Sequence, residues 1–353
     1  MSIVLSHGRR SNGLQALRGV AALLVLFQHV FWLAEYFSPG PTKFIISLMM
    51  GGTGVFLFFA LSGFLMISQI DRPAKRFLKD RFRRIYPGLG LAVLVSGSTL
   101  ACFSYNGWPK LTTLLLLPVG VADNIYIPYW TLIYELQFYL IVILVGRLPY
   151  IARLPVFTLW AAAILISNFG SMKPAAQAAY PSATEIVFSF YNLYFIVGML
   201  AWWFLKKMPP SIFEGVFALV LTLALALSNA FMEVSLKFYH YGMLLVVFCA
   251  VRYLAVVKFN GGLWRALIRF GDVSYGVYLI HITTGFLVVL VVKETLRIQL
   301  GYWHGALVIL IFGGGLAYLF GWVELKLQEA LKQRKAIEKP DSPSPCTSVS
   351  SKT

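Results

Sequence analysis

Arg18 and His29 lie eleven residues apart in one apolar run, residues 13–37, that is long enough to cross a bilayer. At 1.5 Å per residue the two side chains are about 16 Å apart along a helix axis, roughly half the hydrocarbon thickness. With Arg18 near one membrane face, His29 reaches the midplane. Ionisable groups at that depth are costly and read as functional by default. Desolvation penalises an imidazolium there and favours neutral imidazole, a proton acceptor suited to general-base chemistry. For a histidine standing alone, a hydrogen bond across a helix interface is the competing reading.

Glu135 stands in YWTLIYELQFYL among Tyr129, Trp130, Tyr134, Phe138 and Tyr139. It is one of few carboxylates that must lie within a span, and a buried acid needs a partner. Orientation of His29 by Glu135 gives a base–orienter pair. A structural contact to another helix, or an acid reaching for the outer interface, is the alternative. A third group is cationic: DRPAKRFLKDRFRRIYPG carries seven Lys or Arg between Asp71 and Arg84. Such a stretch reads first as a positive-inside signal that attracts anionic lipid. Arg81 and Arg84 are three apart on one helix face directly before Tyr86 and Pro87, and guanidinium forks suit phosphate groups. With Arg18 on the same side, they can hold a phosphorylated cytoplasmic donor.

The elements that position these residues follow from composition. At 59% hydrophobic and 12% charged residues, the chain departs far from the roughly half apolar, quarter charged average of soluble domains. It reads as an all-α, polytopic integral membrane protein. The net charge of +16 does not indicate nucleic acid, because no soluble fold exists to present it. Pro, Gly and charge separate ten candidate spans at about 14–37, 44–69, 86–105, 129–146, 155–170, 185–205, 211–230, 238–257, 273–292 and 303–325. The segment 111–120 is too short to span and reads as an interfacial or re-entrant piece able to roof a cavity. With both termini cytoplasmic, 24 Lys and Arg fall inside and 6 outside, as the positive-inside rule requires. The organisation is a cytoplasmic tail at 1–13, a transmembrane domain at 14–325 and a basic, then Pro/Ser-rich cytoplasmic tail at 326–353. The first apolar run is too long for a cleaved signal peptide. Cys102, Cys249 and Cys346 have neither metal nor redox spacing, and no metal site is expected.

Smaller features have plainer readings. Ser62 and Gly63 in span two favour close helix packing over a ligand contact. His281 lies about eight residues into span nine, near the midplane, and reads as readily as a helix-interface hydrogen bond as a catalytic group. His240 and His304 read as interfacial, and Asp272 as a helix N-cap.

Taken in order, LQALRGVAALLVLFQH, GVFLFFALSGFLM, RFRRIYP, YWTLIYELQFYL and GDVSYGVYLIH resemble the acyltransferase-3 family of bacterial inner-membrane O-acyltransferases, over about residues 14–325. Within it the chain most resembles the short exopolysaccharide O-acetyltransferases of the succinoglycan type. The resemblance implies transfer of an acyl group, usually acetyl from cytoplasmic acetyl-CoA, to a hydroxyl of a surface polysaccharide or lipid-linked precursor. No cofactor is implied beyond that donor, and polysaccharide-synthesis machinery is an implied partner. The family histidine falls on His29 and its arginine on Arg18, the arginines of the basic motif on Arg81 and Arg84, and the acid on Glu135. Tyr134, in the same signature, is a candidate substrate contact. The basic motif departs from the pattern at Lys79-Asp80-Arg81, where many relatives run consecutive arginines. His29 as base, Glu135 as its orienter and the three arginines as a clamp on CoA phosphates make a coherent acyl-transfer constellation. An acyl-carrying His29 is a second form of the same chemistry. Rival readings are a transporter or flippase for lipid-linked sugars, a non-enzymatic assembly partner, and an O-acyltransferase with a small-molecule acceptor.

Overall fold

The structure, a computed structural model, describes residues 11–121, 123, 126–169, 180–232, 236–258 and 260–337. Cys346 and the Pro/Ser-rich end of the chain lie outside the described residues. Helix α1 (Asn12–Ala34) is capped by Ser11, whose Oγ accepts from the Leu14 N–H. The next crossing is broken, with α2 (Thr42–Ser47) and α3 (Met50–Ile67) meeting at Met49 in the left-handed region, φ 54°. Helix α4 (Ala74–Ala101) begins as the basic stretch and continues through Pro87. A short α5 (Leu111–Leu114) precedes α6 (Trp130–Gly146) and α7 (Tyr150–Ser167). A second broken crossing joins α8 (Ala183–Phe188), opened by a Ser182–Glu185 capping box, to α9 (Tyr191–Lys207) through extended Ser189. Helices α10 (Ile212–Met232), α11 (Leu236–Val256) and α12 (Gly262–Leu290) follow. The last crossing joins α13 (Tyr302–Val308) to α14 (Gly314–Ile337) by a π-helical turn at Ile309–Gly313.

By length and apolarity, eight helical stretches among the described residues can cross a membrane. Helices α4 and α6 coincide in position with the third and fourth expected spans but fall outside that set. The first half of α4 is charged, and α6 has only 17 residues. The chain is an all-α, polytopic membrane protein. The helices pack in the sequence α14, α12, α1, α3, α9, α11 and α10, with α4 against α12 and α14 and α6 against α3. Helix α10 buries very little of itself, as a lipid-facing helix does.

In hydrocarbon, helices associate through close packing rather than water exclusion. At the α3–α9 crossing a Cβ on Gly63 would stand 2.0 Å from the Phe195 carbonyl oxygen, and one on Gly198 1.9 Å from that of Ala60. Each glycine is the space the other helix occupies, and the packing role read for Gly63 is what the fold uses. Stacked rings flank the crossing, Phe56 on Tyr194 at 4.2 Å and Phe59 on Phe195 at 4.5 Å.

Two expectations are corrected. Helix α12 starts at Gly262, well before the expected start of span nine, so Asp272 is internal to it and accepts from Gln15 Nε2 at 3.0 Å instead of capping. His240 is buried, not interfacial, with its Nδ1 2.9 Å from the Tyr194 hydroxyl.

Gly198→Ala places a methyl on a backbone carbonyl, and overpacking of this kind costs about 1–3 kcal/mol. The expected result is a thermal unfolding midpoint several degrees below the parent in detergent, while Gly90→Ala, with open space at its Cβ, leaves it in place. Equal midpoints for the two variants would show that α3 and α9 are not in backbone contact.

Candidate active site

Along α1 the chain lines two cavities at successive levels. The lower receives Arg18 from α1, Ser62 and Phe58 from α3, Arg84 from α4, Thr131 and Glu135 from α6, and Tyr275 and Tyr278 from α12. Its volume is about 70 Å³, less than a tenth of that of the cavity above it. The upper cavity, about 910 Å³, takes Gln28, His29 and Trp32 from α1, Trp130 from α6 and Ile282 from α12, with Asn106, Asp123, Tyr126 and Tyr180 from the loops. A hydrogen bond of 2.9 Å joins the Thr131 and Tyr278 hydroxyls in the wall of the lower cavity, next in sequence to Trp130 and one turn before Ile282 of the upper one.

The upper cavity combines aromatic faces with a few polar groups, the usual make-up of a small-ligand site. Burial pushes the Tyr180 phenol up to about 12, with Tyr129 beside it adding to the effect. Burial also raises Tyr126. Both therefore offer O–H groups, not phenolates, at neutral pH. The segment 111–120 does not roof this cavity. Thr113 Oγ1, with the Lys110 N–H, donates to Asp123 at 2.8 and 2.6 Å and so fixes that carboxylate at the cavity wall.

His29 is on the upper wall, with its Nδ1 2.8 Å from the Val25 carbonyl oxygen and 3.3 Å from His281 Nε2. Glu135 is on the wall of the lower cavity, where it accepts from the Tyr139 hydroxyl and, at 3.4 Å, from Ser62 Oγ. The structure therefore does not bring Glu135 to His29, the partner expected for a buried acid. The ring against His29 is His281, at 4.9 Å between centroids. The available signal was the depth of His281 within its own span, which matches that of His29.

The arginines also separate. Arg84 lines the lower cavity with its guanidinium 6.0 Å from the Tyr275 ring centroid. Arg81 donates from Nη2 to Gln69 Oε1 at 2.7 Å and lies over the rings of Phe77 and Tyr139 at 5.2 and 5.5 Å. Residues three apart differ by about 60° around a helix, enough to aim Arg84 toward α12 and Arg81 toward α6. Tyr139, between Arg81 and Glu135, couples the two layers. Tyr134 is fully buried, donates to Ser189 Oγ at 2.9 Å and packs on Phe59, Trp130 and Tyr191. It lines neither cavity and belongs to the packed core. Ser62, read mainly as a packing residue, faces the lower cavity.

A model of the acyltransferase-3 family, described as an acyltransferase domain, matches residues 11–322. The chain belongs to this family. Among curated proteins it is similar to the exopolysaccharide production protein ExoZ of Rhizobium meliloti (strain 1021), 29% identical over 71% of this chain and 81% of that protein. It is also similar to nodulation protein 10 of Rhizobium leguminosarum bv. viciae, 29% identical over 38% of this chain and 44% of the relative. A third relative, protein 2 in the picA locus of Rhizobium radiobacter, is 31% identical over 27% of this chain and 49% of its own length. No solved structure matches the chain. The protein is thus a multi-pass membrane acyltransferase whose family match covers both cavities.

The two levels of the acyltransferase predict opposite accessibility. In a background without native cysteines, Asn106→Cys is expected to react with a membrane-impermeant maleimide from one face and Lys332→Cys only from the other. Labelling of both from the same face would overturn the placement of the upper cavity at the end away from the basic stretch.

Proposed function

We propose that this acyltransferase moves an acyl group, acetyl in the simplest case, from cytoplasmic acyl-CoA to a hydroxyl of a polysaccharide or its lipid-linked precursor in a bacterial inner membrane, with both termini cytoplasmic. The observation that carries the reading is the vertical order of the two cavities along α1. A narrow passage bearing Arg18 and Arg84 lies on the side of the basic stretch, and a wide aromatic cavity bearing His29 lies on the other. A space of about 70 Å³ is far too small for the nucleotide of CoA, so only the acyl-thioester end enters it. The phosphates therefore stay at the mouth, where Arg18 and Arg84 hold them and Arg81 backs the wall through Tyr139. The exopolysaccharide role named for the Rhizobium meliloti relative supports a saccharide acceptor, and rings such as Trp32, Trp130 and Tyr180 give its apolar faces a surface to lie on.

In the proposed reaction His29 Nε2 takes the proton of the acceptor hydroxyl while that oxygen attacks the thioester carbonyl. The tetrahedral adduct collapses with cleavage of the carbon–sulfur bond, and the departing thiolate takes the proton from His29. The products are the sugar ester and free CoA thiol. Glu135, which lines the same cavity as Arg84, acts on the donor side by holding the Ser62 hydroxyl in the cavity wall and the Tyr139 hydroxyl behind it. Apart from the exchanged proton, no charge has to cross the midplane.

The test is transfer of radiolabelled acetyl from acetyl-CoA to polysaccharide in membranes matched for expression. Loss of a general base costs about 10²–10⁴-fold, so His29→Ala is expected to reduce label to background. Equal transfer by parent and variant would remove His29 from the chemistry, and transfer by neither would shift the reading to a different donor or to sugar transport. Arg84→Gln is expected to raise the KM for acetyl-CoA about tenfold, the loss of one charge-assisted phosphate contact, with protein abundance unchanged. An unaltered donor dependence would take Arg84 out of the binding site.

A further inference from the structure

Two imidazoles meet where α1 crosses α12, and each is tied to a carbonyl of its own helix. His29 Nδ1 is 2.8 Å from the Val25 carbonyl oxygen, and His281 Nδ1 is 2.7 Å from that of Tyr278. A carbonyl only accepts, so in the neutral rings each Nδ1 carries the hydrogen. His281 Nε2 is then a lone-pair acceptor, and it lies 3.3 Å from His29 Nδ1. The His29 Nδ1–H is shared between two acceptors on one side of the ring. The other tautomer would turn a lone pair of His29 toward both. With the hydrogen held at Nδ1, Nε2 of His29 keeps its lone pair free, which is what proton abstraction from a hydroxyl requires.

We propose that His281 is the positioning residue of His29. It fixes the tautomer and the ring orientation, and it shares the positive charge that His29 gains on taking the acceptor's proton. The proposal rests on the reading of His29 as the base. His281 is 2% exposed and lines neither cavity, so it acts through His29 and not on substrate. The arrangement does the work that a carboxylate does behind the histidine of a hydrolytic triad, without a permanent anion. At mid-bilayer depth a fixed carboxylate would be a standing charge in a poorly solvating region. Two neutral rings carry charge only while the proton is in transit.

The choice of partner also accounts for the place of Glu135. With His281 behind His29, the acid serves the level below, where it accepts from the hydroxyls of Ser62 and Tyr139.

The test compares His281→Phe, which keeps a ring and no acceptor, with His281→Gln, whose amide oxygen reaches toward the position of Nε2. Initial rates are measured in matched membranes with acetyl-CoA and polysaccharide varied separately. The expected result is a fall in kcat of about 10²-fold for Phe, the scale of a lost acid–base contribution, with both KM values within threefold of the parent, and recovery of at least tenfold of that loss by Gln. If the Phe variant does not accumulate, His281→Leu takes its place. A parent-like kcat without an acceptor, equal loss in both variants, or a loss confined to KM would each overturn the proposal. His29→Ala in the same assay separates the two failures: activity there refutes the base reading itself. An inactive His29→Ala beside a normal His281→Phe refutes only the role of His281.

Discussion

Helices α1 and α12 touch backbone to backbone. A Cβ on Gly19 would stand 2.3 Å from the Leu267 carbonyl oxygen, and one on Gly271 2.0 Å from that of Gln15. Lipid supplies no hydrophobic force between helices, so an approach this close is what holds them, through dispersion and weak Cα–H···O contacts. Gln15 donating to Asp272 at 3.0 Å fixes the register at the same end. His29 is ten residues beyond Gly19, and His281 is ten residues beyond Gly271. Two helices rising in parallel from one contact by about 15 Å deliver the two imidazoles to the same depth. A slip of one turn would part them by about 5 Å and leave each ring with only its own helix's carbonyl.

A second constraint acts at the basic end. Pro87 has no N–H to give to the Arg83 carbonyl in the ladder of α4, and the carbonyls that follow take side-chain donors from other helices. Tyr275 donates its hydroxyl to the Ile85 carbonyl at 2.7 Å, and Gln328 Nε2 donates to that of Arg84 at 2.8 Å. Gln328 also donates to Glu324, a buried carboxylate on α14. The backbone that carries Arg84 is therefore clamped from α12 and α14 together. The same helix that places His281 behind His29 thus also anchors the arginine of the lower cavity, and the spacing between the two levels is set by one rigid element.

What the sequence made legible was depth. The pairing of Arg18 with the basic side follows from counting residues, and Arg18 and Arg84 do share one cavity while His29 lines the other. Rotation about each helix axis was not legible. Glu135 was set beside His29 because both lie inside spans, yet which way α6 turns is decided by Phe59, Trp130 and Tyr191 packing around Tyr134. The same packing removes Tyr134 from the substrate cavities although it adjoins Glu135 in the chain. Arg81 and Arg84 share a face in the coarse i, i+3 sense, but the remaining offset sends them to different neighbours. Asp272 was misread for a related reason: an amphipathic extension on the side of the basic stretch prolongs α12 past the point where hydropathy alone would begin it.

The division into two levels also answers a problem that any acyl transfer through a membrane must solve. The acyl group has to pass between the two faces while ions and free protons must not, since an open aqueous path would short-circuit the membrane potential. On the proposed reading, the passage is narrow where the donor enters, and the Thr131–Tyr278 hydrogen bond lies in its wall, beside Trp130 and Ile282 of the upper cavity. Tyr278 also gives its carbonyl to His281, so the residue at this boundary helps to fix the ring behind the base. Displacing the Tyr278 side chain to admit a thioester leaves that backbone contact in place, because the carbonyl belongs to the helix and not to the moving phenol. The base can therefore keep its tautomer while the boundary opens, which is the condition for reaction to follow arrival of the donor without a path for water having to persist.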